Sequence, residues 1–107
     1  MGNEKIMFDE RQDRYITRGI QEQVNPLLYL YLWHLIDTMK VSRKDYLQVF
    51  ELKRVPGQEH TQIVIHRQEC PRYKKKHVFQ TAEPRSIERI FVIDDGTHST
   101  MLLASEY

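Results

Sequence analysis

The sequence predicts an α+β fold: a strand, one long helix, then about five short antiparallel strands forming a strongly curved or barrel-like sheet. Three observations carry this. One helix is marked at its start, at its end and along its face. The rest of the chain is a series of β-branched and aromatic runs joined by short turns, which imply antiparallel neighbours. Those runs are continuously apolar, so both faces of the sheet want covering, yet one helix is on offer.

Arg14-Tyr15-Ile16-Thr17-Arg18 alternates with β-branched and aromatic residues and reads as a short strand, with Gly19 near its end. The helix follows at about 25–40. Asn25 is a favoured N-cap, and Pro26 stands at the first helical position, where its missing N–H costs nothing. Lys40 closes the last turn, where a cation meets the helix dipole favourably. Leu28, Leu32, Leu35, Ile36 and Met39 form one apolar stripe. Leu27, Tyr29, Leu30, Tyr31 and Trp33 are apolar or aromatic too, so the helix is either deeply buried or half of an interface. After a polar turn around Ser42, Arg43 and Lys44, a strand runs from Tyr46 to Val55. Pro56-Gly57 turns the chain into a partner strand, Thr61 to Glu69, which Pro71 ends because proline cannot donate to the ladder. Further strands are expected at about Lys75 to Thr81, at Ile87 to Ile93 and, beyond the Asp95-Gly96 turn, at Thr100 to Ser105. Residues 1–13, with Glu4, Asp9, Glu10 and Asp13 against Lys5 and Arg11, read as a flexible leader whose cluster Ile6, Met7, Phe8 docks one hydrophobic knob. Residues 14–107 form a single domain.

At 107 residues, 40% apolar and 29% charged, with four glycines and four prolines, the chain is globular and long enough to bury a core without disulfides or a metal. Collagen-like, low-complexity and wholly disordered classes are excluded. The net charge of +1 removes any chain-wide electrostatic argument for nucleic acid or membrane. The longest apolar-leaning run, Leu27 to Ile36, falls well short of the ~20 residues a membrane helix needs. No signal-peptide stretch opens the chain, and Ile6 stands where a myristoylation start wants Ser or Thr. The single cysteine, Cys70, fits a reducing compartment. A cytoplasmic location is expected, with no membrane partner.

Candidate chemistry is sparse. His34, His60, His66, His77 and His98 fall on five elements with no chelating spacing, so no metal or other cofactor is expected. Asp94-Asp95-Gly96-Thr97-His98-Ser99 holds an acid, a base and a hydroxyl, but a triad needs convergence in space, and Asp-Gly is explained by the turn. Cys70 lies near Arg67, Arg72 and Lys74, which would favour thiolate; a structural or incidental role is the simpler reading. No glycine-rich phosphate loop is present. Two surfaces remain. The segment from Arg67 to Lys76 carries Arg67, Arg72, Lys74, Lys75 and Lys76 against Glu69, with Tyr73 interleaved and Phe79 beyond; basic–aromatic interleaving suits single-stranded nucleic acid. The competing reading is that lysines protect an exposed edge strand. The other surface is the helix face bearing Tyr29, Trp33 and Asp37, a candidate protein interface because Trp and Tyr are enriched in hot spots. Its competing reading is packing on the sheet or leader.

Arg14-Tyr15-Ile16-Thr17-Arg18-Gly19-Ile20, Leu32-Trp33-His34-Leu35-Ile36-Asp37, Asp45-Tyr46-Leu47-Gln48-Val49-Phe50-Glu51-Leu52, and Phe91-Val92-Ile93-Asp94-Asp95-Gly96 running on to Ser99-Thr100-Met101-Leu102-Leu103-Ala104-Ser105-Glu106-Tyr107 carry a resemblance. In this order they resemble a small uncharacterised family of Firmicutes bacteria, catalogued as a domain of unknown function. The resemblance covers about residues 14–107 and implies a small cytoplasmic bacterial protein of α+β type. It brings no activity, ligand or functional residue. The expectation is therefore a non-enzymatic interaction or structural module, with a homodimer or another protein as partner. A nucleic-acid-binding adaptor using Arg67 to Lys76 is the alternative.

Overall fold

The computed structural model describes residues 6–107; Glu4 and Lys5 of the expected leader lie outside them. The described residues form six strands, β1 (Asp13–Ile16), β2 (Leu47–Val55), β3 (Gln58–Gln68), β4 (Tyr73–Gln80), β5 (Ile87–Asp94) and β6 (His98–Leu103), with helices α1 (Arg18–Gln23) and α2 (Pro26–Thr38) and a closing 3-10 turn, Ala104–Glu106. The sheet order is β1-β6-β5-β2-β3-β4.

This is α+β, with three corrections to the expected architecture. The sheet is open rather than barrel-like: β1 and β4 are its edges and do not meet. The strands are not all antiparallel, since β1 runs parallel to β6, pairing Tyr15 with Thr100 and Ile16 with Met101. And the one long helix is preceded by a short one. Thr17, expected inside the first strand, caps α1 by accepting from the Ile20 N–H through its hydroxyl. Six residues are too few to show helical periodicity, which is why α1 is invisible in the sequence.

The α2 start signals act as read, but the expected end does not: the helix stops at Thr38 with Met39 as its C-cap, which leaves Lys40 beyond the last turn. The Asn25 side chain accepts from the Leu28 N–H at 2.9 Å, and Pro26 is the first helical residue. Leu28, Leu32, Leu35 and Ile36 are buried, with Met39 at the C-cap beside them. They pack with Phe50, Leu52, Val64, Ile90, Val92, Met101 and Leu103 from one face of the sheet. Phe8 completes this core: it is buried at positive φ, and its N–H donates to the buried Asp94 carboxylate at 2.7 Å. Gly57 and Gly96 take the positive φ that their turns require.

Candidate functional site

Only one face of the sheet carries helices. Strand pleat sends alternate residues to opposite faces, and directly paired residues share a face. The register therefore draws the second face as consecutive cross-strand rows. One is Tyr15, Thr100, Ile93, Leu47. The next is Leu102, Phe91, Val49, Arg67, Lys74. Then come Glu51, Ile65, Lys76, and Lys53, Ile63, Val78. Seven of these, Leu47, Val49, Ile63, Ile65, Phe91, Ile93 and Leu102, are apolar and only half-buried, shielded by one another and by charged stems rather than by a covering element. Tyr107 stands edge-on to Phe91 with ring centroids 5.7 Å apart and is itself largely exposed.

The charges on this face are unevenly placed. A groove of about 510 Å³ crosses from β5 over β2 and β3 to β4, with Leu47, Val49 and Phe91 as apolar lining, Arg67, Arg72, Lys74 and Arg89 as cations and Glu69 as an acid. The Arg67 Nε lies 3.3 Å from the Glu51 carboxylate, within ion-pair range without hydrogen-bond alignment. Toward the β1 edge the charge is acidic. Asp13 pairs in register with His98, and Asp95 lies 3.1 Å from the His98 ring. Hydrogen bonds from the Thr97 and His98 N–H groups hold the Asp95 carboxyl below its ordinary range.

The basic segment is split by this geometry. Lys74 and Lys76 face outward with Arg67, whereas Tyr73 and Lys75 belong to the helix side of β4. The Tyr73 ring meets the buried His66 edge-on at 5.2 Å, and Phe79 meets Tyr31 at 4.8 Å. The aromatics interleaved with the lysines in sequence thus lie on the opposite face of the strand. β4 is an edge strand, where lysines also oppose pairing with other chains. Arg89 joins the cations from β5, a position that chain distance conceals.

The other surface lies mostly inside the molecule. Trp33 is 5% exposed, and the Arg14 guanidinium sits 4.8 Å above its ring. Asp37 accepts two hydrogen bonds from Arg14, at 2.6 and 3.0 Å. Arg14 and Asp37, from β1 and α2, therefore cover the aromatic face expected to need a partner, and Tyr29 is a half-buried neighbour of the core. The exposed apolar residues of α2 are Leu27 and Leu30.

Ser99 is fully buried with an unpartnered hydroxyl, while the His98 ring faces out to Asp95 and Thr97; the Asp-His-Ser string does not converge. Among the described residues no group of His, Cys, Asp and Glu is placed to hold a metal, and no helix is long and apolar enough to cross a membrane. Cys70 is exposed at the turn before Pro71, its N–H donating to Asp45. The sequence reading missed a buried polar layer. His66 Nε2 bonds Gln48 Oε1 at 2.7 Å, and Gln48 in turn donates to Gln68. Burial, then the nearby His77 and Lys44, hold the His66 pKa down to about 3. Alternation along β2 and β3 was the available signal, since it sets Gln48, His66 and Gln68 in phase with Phe50 and Val64.

A profile described as a staphylococcal protein of unknown function (DUF960) matches residues 13–106. The chain belongs to this family. The DUF960 match spans β1 through the closing turn, so it takes in both the open face and the Arg14 cluster. This DUF960 chain is also similar to a protein of unknown function from Enterococcus faecalis, known from its crystal structure. The TM-score is 0.76 at 26% identity, over 97% of this chain and 98% of that one. No curated protein matches the chain.

Proposed function

We propose that this protein is a non-enzymatic protein-interaction module of the bacterial cytoplasm, docking through the open face of its sheet. The observation that carries the reading is the uncovered apolar surface of Leu47, Val49, Ile63, Ile65, Phe91, Ile93 and Leu102. Contiguous apolar patches of several hundred Å² are uncommon on monomers and mark interaction sites. The lone exposed thiol of Cys70 fits a reducing compartment. Two differently tagged copies expressed together in the native cell test the reading. The parent is expected to retain a protein, either the second copy or another, that the double variant Ile65→Lys, Ile93→Lys loses while keeping its far-UV spectrum. Identical retention by parent and variant removes the open face as the docking surface.

A further inference from the structure

The groove across the open face gathers more positive charge than the fold needs. Its lining sets Arg67, Arg72, Lys74 and Arg89 against Glu69. Arg67 has the Glu51 carboxylate nearby; among the described residues Arg72, Lys74 and Arg89 have no carboxylate within ion-pair distance. Edge protection explains Lys74 on β4, but not Arg67 on β3 or Arg89 on β5, strands that are paired on both sides. Like charges gathered in a cleft focus the field on an incoming anion. With +1 on the whole chain, this excess is local. The cations also stand around an apolar floor. Phe91, Val49, Arg67 and Lys74 are paired in turn across four strands, a span of about 14 Å at ~4.8 Å per strand. The β5–β2 half of this row is apolar and the β3–β4 half is cationic. Arg89, two residues before Phe91 on β5, closes the apolar half from the other side.

From this we infer that the groove takes an acidic segment of a partner protein, in which carboxylates flank a large apolar side chain. The apolar side chain rests on Phe91, Val49 and Leu47, and the carboxylates meet Arg89 on one side and Lys74 and Arg72 on the other. The inference rests on the interaction reading above and states the chemistry of the partner. Three of the four groove cations are arginines, whose planar fork takes a carboxylate through two parallel hydrogen bonds. Single-stranded nucleic acid shares the negative charge but fits less well. Its bases need open ring faces, whereas Tyr73 and Phe79 lie on the helix side of β4 and Phe91 has Tyr107 against it. It also carries a phosphate at every nucleotide, which Glu69 within the groove and Glu51 beside Arg67 oppose. A peptide sets carboxylates only where cations stand.

The test follows the fluorescence anisotropy of an end-blocked peptide, with Glu residues on both sides of a central Leu-Phe pair, as the full chain is added. Saturable binding is expected, weakening as salt is raised and lost when Lys replaces Glu in the peptide. Replacing the Leu-Phe pair by Ser-Ser is expected to cost about tenfold in affinity. Lys74→Glu and Arg89→Glu, reversals at exposed side chains, are each expected to weaken binding about fivefold or more, whereas Lys75→Glu, the same reversal on the helix side of β4, leaves it within about twofold. Equal losses from Lys74→Glu and Lys75→Glu overturn the inference, since they report overall charge and not the groove. Absence of saturable binding overturns it too, as does a single-stranded RNA of equal charge that binds more tightly than the peptide. The interaction reading is judged separately. Capture in the native cell that Ile65→Lys, Ile93→Lys abolishes but Lys74→Glu, Arg89→Glu leaves untouched defeats the acidic segment while keeping the open face as the docking surface.

Discussion

Arg14 draws three parts of the chain to one side chain. Its guanidinium holds Asp37 on α2, lies over the Trp33 ring and reaches the Phe8 carbonyl at 3.3 Å. Both members of the ion pair are 18% exposed, so water does little to weaken it or to replace a missing partner. Arg14→Ala is expected to cost about 2–3 kcal/mol in urea unfolding, in the range of charged hydrogen bonds. A double-mutant cycle with Asp37→Ala should show clear coupling; additive losses would mean the two act independently. Trp33→Ala should cost about 3–5 kcal/mol, as large-to-small changes in cores do, and unfolding rather than a folded monomer is its expected outcome. His66 adds a pH dependence. Its Nε2 proton is assigned from the acceptor it faces, Gln48 Oε1, which leaves a neutral ring with an unpartnered Nδ1. The folded pKa, about 3, lies below the ordinary 6.5, so the unfolded chain binds the extra proton between those values. Stability therefore falls as pH drops below 6.5, by up to about 1.4 kcal/mol per pH unit from this group. Burial, then Lys75, shifts His77 the same way. His66→Gln should flatten the slope between neutrality and pH 5, and an unchanged slope would clear His66 of this role.

At the scale of the element, the start of α1 is tied to the end of the chain. The Glu106 carboxylate accepts from the Thr17 hydroxyl at 2.6 Å, the Gly19 N–H at 3.1 Å and the Leu103 N–H at 2.9 Å. The Thr17 hydroxyl, followed by the Leu103 amide, holds the Glu106 pKa below the usual carboxylate range. Gly19 is the residue that permits this approach, because a Cβ there would stand 2.6 Å from the carboxyl carbon. Gly19→Ala improves helix propensity, worth about 1 kcal/mol in an open helix, yet it is expected to lower Tm here by dislodging Glu106. In a Glu106→Ala background the same substitution should become neutral or stabilising. A gain in both backgrounds would show that Glu106 swings aside without cost. α2 needs no such tertiary aid: Asn25, Pro26 and the Leu28-Leu32-Leu35-Ile36 stripe mark it in sequence and act as they read. α1 depends on one threonine and a carboxylate far along the chain, which is why local sequence offers only a strand through Arg18 with Gly19 near its end and no sign of a helix.

For the molecule as a whole, no helix among the described residues covers the second sheet face, and mass action turns that into a measurement. If two copies stack, folding is linked to association, and Tm is expected to rise with protein concentration in the parent but not in the Ile65→Lys, Ile93→Lys variant. A Tm independent of concentration would separate folding from association. The excess of apolar sequence was legible without coordinates: Val49-Phe50, Ile63-Val64-Ile65, Ile90-Phe91-Val92-Ile93 and Met101-Leu102-Leu103-Ala104 are not alternating runs. Where the excess went was not. Closure of the sheet into a barrel would have covered it, but β1 pairs with β6 and β4 pairs with β3, leaving two free edges.

Local chemistry by itself determined the α+β class, the α2 start, the turns at Pro56-Gly57 and Asp95-Gly96, and an apolar surplus beyond one helix. These depend on dihedral preference, capping and period, which act between residues near in sequence. The tertiary structure alone decided that Arg14 covers Trp33, that Arg89 joins Arg67, Arg72 and Lys74, that Tyr73 turns away from Lys74, and that the surplus lies bare across β2, β3, β5 and β6. Each of these follows from strand order and register. Strand order reflects which long-range pairings leave the fewest backbone groups and the least apolar area unsatisfied, a competition across the whole chain. Pleat then assigns each side chain to a face, so one decision about register moves a lysine and its neighbouring tyrosine to opposite sides of the protein.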